Sequence, residues 1–242
     1  MRPDVAQMVR AEGANVVTDV LAAVVFACLG CSDYAAARYG IAAVCAAIAL
    51  CRVLSGIMHA AVGLGRGKRQ FWLAVDFVGI AGASVAGGLA NAHLARFSAH
   101  AALPAVYVII LTLVAIGQLI YITRSRHAAR TASFGLVNAL VHAPVIYAVA
   151  HDTYSPEAMR HWTASLVTGL VATGCYAGKR HTMWHITGTL SLLHYRDFML
   201  AELAMPAAAH IFAPTAEQTT SAALLVAVAC TAILYSAFHR PW

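Results

Sequence analysis

Long apolar stretches separated by short polar ones run the whole length of this chain. A helix crossing the bilayer core needs about 20 largely apolar residues, and several stretches reach that length. The pattern predicts helices near 16–31, 40–63, 71–90, 103–122, 133–150, 161–178 and 182–200, with an eighth over 220–238. The seventh is interrupted by His194, Tyr195, Arg196 and Asp197, which would mark its far interface and leave 198–213 lying along the membrane. Ala, Gly, Ser and Thr are abundant throughout, which suits close helix packing in lipid. The expected fold is therefore all-α: a polytopic transmembrane bundle in one integral-membrane domain over 1–242. Its seven-helix core covers about 16–200, and the eighth helix follows.

Composition agrees with that reading. Hydrophobic residues make up 61% of the chain and charged ones 11%, against about a quarter charged in soluble domains. The net charge of +6 does not indicate a nucleic-acid partner, because the basic residues are scattered among the predicted loops. Eleven Lys and Arg fall in the N-terminus, the second-to-third, fourth-to-fifth and sixth-to-seventh connections and the C-terminal tail; Arg38, Arg96, Arg160 and Arg196 fall on the other side. Positive charge accumulates in cytoplasmic loops, so both termini are expected in the cytoplasm, and a bacterial inner membrane suits the compact, Ala-rich chain. Asp4, Glu12 and Asp19 make a poor signal-peptide start. Cys28 and Cys31 form a C-x-x-C, but within an apolar run cysteine acts as a small hydrophobe. Trp72, Trp162 and Trp184 near helix ends fit an interfacial aromatic belt.

Five polar residues break the apolar pattern at one depth. Ser55 and His59 lie near the inner end of the second helix, Asp76 within two turns of the start of the third, and His181 and His185 at the start of the seventh. Ionisable groups in membrane segments are costly and mark function. His181 and His185, four apart, share a helical face. Three imidazoles with an open fourth position make a catalytic zinc site. Here no glutamate sits between the paired histidines as in H-E-x-x-H, so Asp76 is the candidate general base. Ser55, one turn before His59, would steady the water or the developing oxyanion. Arg52 lies on roughly the same face, to bind a substrate head group or pair with Asp19. His142 precedes Pro144 and would line a kinked cavity. His161 and His194, with His93, His100, His151 and His210, fall near interfaces, where a solvated imidazole is the ordinary outcome.

Ser55-Gly-Ile-Met-His59, Asp76-Phe-Val-Gly-Ile80 and His181-Thr-Met-Trp-His185 together resemble the CREST superfamily of membrane hydrolases, which includes alkaline ceramidases, progestin and adipoQ receptors and hemolysin III-like proteins. The shared pattern is Ser-x-x-x-His in the second helix, Asp in the third and His-x-x-x-His in the seventh. The resemblance implies a seven-helix core, Zn2+ held by His59, His181 and His185, and hydrolysis of the amide bond of a lipid or other amphiphile. Two features depart from it: the eighth helix, and the absence of a clear acidic N-terminal calcium pattern among Asp4, Glu12 and Asp19.

Two other functions draw on the same residues. A b-type haem electron-transfer protein would use pairs among His59, His142, His185 and His194 as axial ligands, leaving Ser55 and Asp76 without a role. A receptor-like membrane protein would use the zinc only to hold helices together.

Overall fold

The computed structural model of the chain describes residues 3–61, 66–94, 103–122, 127–151 and 154–204. The regular elements among them are seven α-helices: α1 (Pro3–Ala35), α2 (Tyr39–Ala60), α3 (Arg66–Leu94), α4 (Leu103–Ile122), α5 (His127–His151), α6 (Pro156–Ala177) and α7 (His181–Leu203). The helix predicted over 220–238 and the segment 205–213 lie outside the described residues. α1 starts well before the predicted position near 16, a difference that matters for the site below.

α7 does not stop at the polar tetrad. It continues to Leu203, so residues 198–203 do not lie along the membrane: Phe198 and Met199 are completely buried in the core, with Glu202 beside them. The tetrad is accommodated because Arg196 points inward onto a carboxylate. Asp33, with no exposed surface, accepts from Arg196 Nε and Nη2 at 2.8 and 2.9 Å and from Arg38 Nε and Nη2 at 2.9 and 2.7 Å. Two-pronged guanidinium–carboxylate contacts are among the stronger polar interactions.

Among the described residues several polar side chains are buried while many apolar ones face outward. Asn15, Asp19, Asp33, Arg52, Asp76 and His185 are buried, whereas Val17, Leu21, Val24, Leu50, Val53 and Ile57 face outward. Four segments among the described residues are long and apolar enough to cross a membrane: Glu12–Ala35, Tyr39–Ala60, Phe71–Ala92 and Ala132–Val149. They point to an integral membrane protein. α6 and α7 have the length but not the apolarity; their outward faces are nonetheless apolar at helical spacing, through Val167, Leu170 and Val171 and through Met183, Ile186 and Leu190.

The closest packing joins α1 to α2, α2 to α3 and α6 to α7, and α7 also meets α1 and α2. Two of the connections are tight. In the 36–38 link Arg38 N–H donates to Asp33 C=O (2.8 Å) and Ala37 N–H to Tyr34 C=O (3.0 Å); in the 178–180 link Arg180 N–H donates to Cys175 C=O (2.8 Å) and Lys179 N–H to Tyr176 C=O (3.0 Å). Both are Schellman caps, a motif that usually places glycine at its left-handed position. Here Ala37 (φ 56) and Lys179 (φ 58) occupy it. Further along, a Cβ at Gly79 would sit 3.0 Å from the Cys51 Cα, so the bare glycine lets α3 lie against the α2 backbone, three residues from Asp76.

Two stability effects are expected in thermal melts of the detergent-solubilised protein. Asp33→Ala leaves Arg196 with Asp197, 3.7 Å away, as its one carboxylate partner among the described residues, and should lower stability by about 3–5 kcal/mol. Lys179→Gly should raise it by about 0.5–1 kcal/mol, since a side chain in the left-handed region costs about that much. A melt of Asp33→Ala that matches wild type would show that the buried ion pair contributes nothing to the closure of α7.

Candidate metal centre

Spacing along α2 and α7 brings the predicted histidines together. Arg52, Ser55 and His59 recur at steps of three and four and are all buried on the inner face of α2. His181 and His185 share one face at the start of α7. The three imidazoles converge: His59 Nε2 lies 3.1 Å from His185 Nε2 and 3.2 Å from His181 Nε2, and one donor atom from each ring falls within 4.8 Å of the others. A tetrahedral zinc with nitrogen ligands at about 2.0–2.1 Å holds those nitrogens roughly 3.3 Å apart. The donor set therefore has the size of a metal site.

The opposite faces of the rings are held by α1. His59 Nδ1–H donates to Glu12 Oε2 at 2.5 Å, and His185 Nδ1–H donates to Asp19 Oδ1 at 2.9 Å. Arg52 Nη1 also donates to Asp19 Oδ1, at 3.2 Å. It stands 3.0 Å from His185 Nδ1, but both nitrogens then carry hydrogen, so the Asp19 oxygen is the shared acceptor. Thr182 Oγ1 donates to Asn15 Oδ1 at 2.6 Å, fixing the first turn of α7 against α1. A carboxylate behind a ligating histidine sets its tautomer and raises its basicity.

Two consequences favour a cation. With Nδ1 protonated in neutral His59 and His185, their Nε2 lone pairs face each other at hydrogen-bond distance. One proton would bridge only two of the three nitrogens, whereas a metal ion serves all three. Charge leads to the same place. Glu12 and Asp19, when ionised, carry two negative charges against the one positive charge of Arg52 among the described residues, and a bound cation would offset the excess.

Glu12 and Asp19 were not among the predicted site residues, although Asp19 was a candidate partner for Arg52 and has that role. The available signal was the spacing of Glu12, Asn15 and Asp19, which puts three polar groups on one face of an apolar helix. Ser55 and Asp76 are buried, and the Ser55 hydroxyl adjoins both the Asp19 and the Asp76 carboxylates. Asp76 Oδ1 and Asp19 Oδ2 have no hydrogen-bond partner among the described residues. A buried acceptor left unmatched is costly and calls for water or ligand.

Ser55, Asp76, Arg52 and His185 open onto a cavity of about 210 Å³ with mainly apolar walls. On α3 its lining runs from Asp76 to Gly87, and on α7 from Trp184 to Tyr195. Eleven residues of helix rise about 16 Å. His142 lines the far part, its Nδ1 accepting from Trp162 Nε1 at 3.3 Å. Trp162 is thus an interior residue and not part of an aromatic belt. The axial imidazoles of a b-type haem face each other across a macrocycle; nitrogens converging at 3.1 and 3.2 Å leave no room for one at this trio.

Asp19→Asn and Glu12→Gln are each expected to weaken zinc binding by about 10–100-fold, and His181→Ala to abolish it, in competition titrations against a chromophoric chelator. Unchanged affinity in both carboxamide variants would remove the carboxylates from the site's design.

No protein-family model matches this chain, and no curated protein matches it either.

Proposed function

We propose that the chain is a zinc-dependent hydrolase working inside the membrane, acting on an amide or ester bond of a lipid or other amphiphile. One observation carries the reading: three imidazole Nε2 atoms converge beside an apolar cavity onto which a buried, half-satisfied carboxylate, Asp76, also opens. His59, His181 and His185 would hold the ion. Bound zinc lowers the pKa of water from 15.7 to about 7 and polarises a carbonyl oxygen.

The remaining roles belong to the chain's own side chains. Asp76 Oδ1 is available to take a proton from the attacking water and return it to the leaving nitrogen or oxygen. Ser55, next to Asp76, donates its hydrogen toward the water or the carbonyl oxygen as charge develops there. Glu12 and Asp19 keep His59 and His185 in the tautomer that presents Nε2. The cavity walls take an apolar chain and exclude bulk water, and Arg52 is already committed to Asp19 and so holds the site together instead of gripping a head group.

The order of Ser55, His59, Asp76, His181 and His185 supports a CREST-type hydrolase, and with it an amide substrate of ceramidase kind. On the loop-charge count we assign both termini and the histidine end of the bundle to the cytoplasmic side of a bacterial inner membrane.

Purified full-length protein should contain about one ion at this centre and release fatty acid from fluorogenic N-acyl lipids. Asp76→Asn should keep the zinc and lose about 10²–10⁴-fold in kcat. Zinc-loaded wild type that cleaves neither amides nor esters, or Asp76→Asn as active as wild type, would overturn the proposal.

A further inference from the structure

We propose a second metal site, separate from the first and unassigned by any sequence pattern, formed by His161 of α6 with His194 and Asp197 of α7. It would bind a divalent transition ion of the zinc, cobalt or nickel type. His194 is nine residues beyond His185, about 13 Å along the helix, so the two sites cannot share an ion.

Donor geometry comes first. One ligand atom from each of the three residues lies within 4.8 Å of the others. His194 and Asp197, three apart, share a face of α7, and His161 faces them from α6, its ring centroid 6.1 Å from that of His194 and its Nδ1 4.0 Å from Asp197 Oδ2. These separations exceed the roughly 3.3 Å of a loaded tetrahedral set. Side-chain rotation can close them, because His161 and Asp197 retain 23% and 44% of their side-chain exposure.

A second observation points to a ligand. His194 Nδ1 is buried and has no hydrogen-bond partner among the described residues. An imidazole nitrogen in that position lacks either an acceptor or a donor, and coordination through Nδ1 supplies the missing partner. Half-buried as the residue is, this nitrogen is out of reach of solvent.

Neighbouring charges leave Asp197 available. Arg196 directs two nitrogens to Asp33, and only its Nη1 approaches Asp197, at 3.7 Å from Oδ1; the Oδ2 oxygen faces His161. Arg160 is paired with Glu157 at 3.9 Å, both exposed. Two imidazoles and one carboxylate form a donor set that selects intermediate transition ions over calcium or magnesium, and they leave coordination positions open. An ion here would clip α6 to α7 at the end away from their 178–180 link.

The test is stoichiometric Co²⁺ titration of the chelator-stripped, full-length protein in detergent, read by visible absorption and by ion content after gel filtration. Two ions per chain are expected for wild type, one for His181→Ala/His185→Ala and one for His161→Ala/His194→Ala. Asp197→Ala, at a half-exposed position where folding is not at stake, should weaken the second ion at least tenfold. Full-affinity binding of two ions by both the His161/His194 and Asp197 variants, or a single wild-type ion lost only with His181 and His185, would overturn the proposal. Failure of the first centre alone would leave one wild-type ion that survives His181→Ala/His185→Ala and is lost with His161→Ala/His194→Ala, so the two outcomes remain distinct.

Discussion

A carboxylate without any exposure has to be given partners, and Asp19 dictates how three helices meet. Burying an unpaired ion costs several kcal/mol even after relaxation. Asp19 meets that demand with Arg52 of α2 and His185 of α7, so α1 can pack correctly only when both neighbours are in register. Asp33, fourteen residues further along α1 and about 21 Å away, imposes the same demand through Arg38 and Arg196. With a fixed acceptor near each end, α7 has one position along α1. His185 is part of that registration, and His181, one turn earlier, is carried into place with it.

This arrangement carries a conflict that the interior cannot resolve with its own groups. Every hydrogen given to Glu12 or Asp19 turns another Nε2 lone pair toward its neighbours. Satisfying the outer faces of the rings therefore frustrates the inner ones. His59 and His185 are buried, so bulk solvent does not relieve the crowding as it would at a surface. A compact positive centre, as proposed above, would resolve the lone-pair repulsion and offset the carboxylates together.

Much of this was legible in the residues. The helices follow from apolar length, and the His181–His185 pair from a four-residue step. The two carboxylates behind the rings were harder to read. Glu12 lies before the apolar stretch that predicts the first helix, and no local rule ties it to His59 across 47 positions. Arg196 and Asp197 misled for the opposite reason. Charge inside an apolar run reads as an interface, unless a partner such as Asp33 waits on another helix. Hydropathy averages over a window, whereas burial is decided by a contact elsewhere in the chain.

The modest apolarity of α6 and α7 has a consequence for how the protein is made. A segment enters lipid on its own only if its average residue prefers hydrocarbon. α7 carries His181, His185 and Arg196, whose polar partners His59, Asp19 and Asp33 stand on α2 and α1. Its tight link to α6, three residues long and bearing Lys179 and Arg180, makes the two helices a hairpin. Among the described helices, assembly is therefore expected to include a cooperative step in which the hairpin packs as a unit against α1 and α2 and the polar centre forms in the same event.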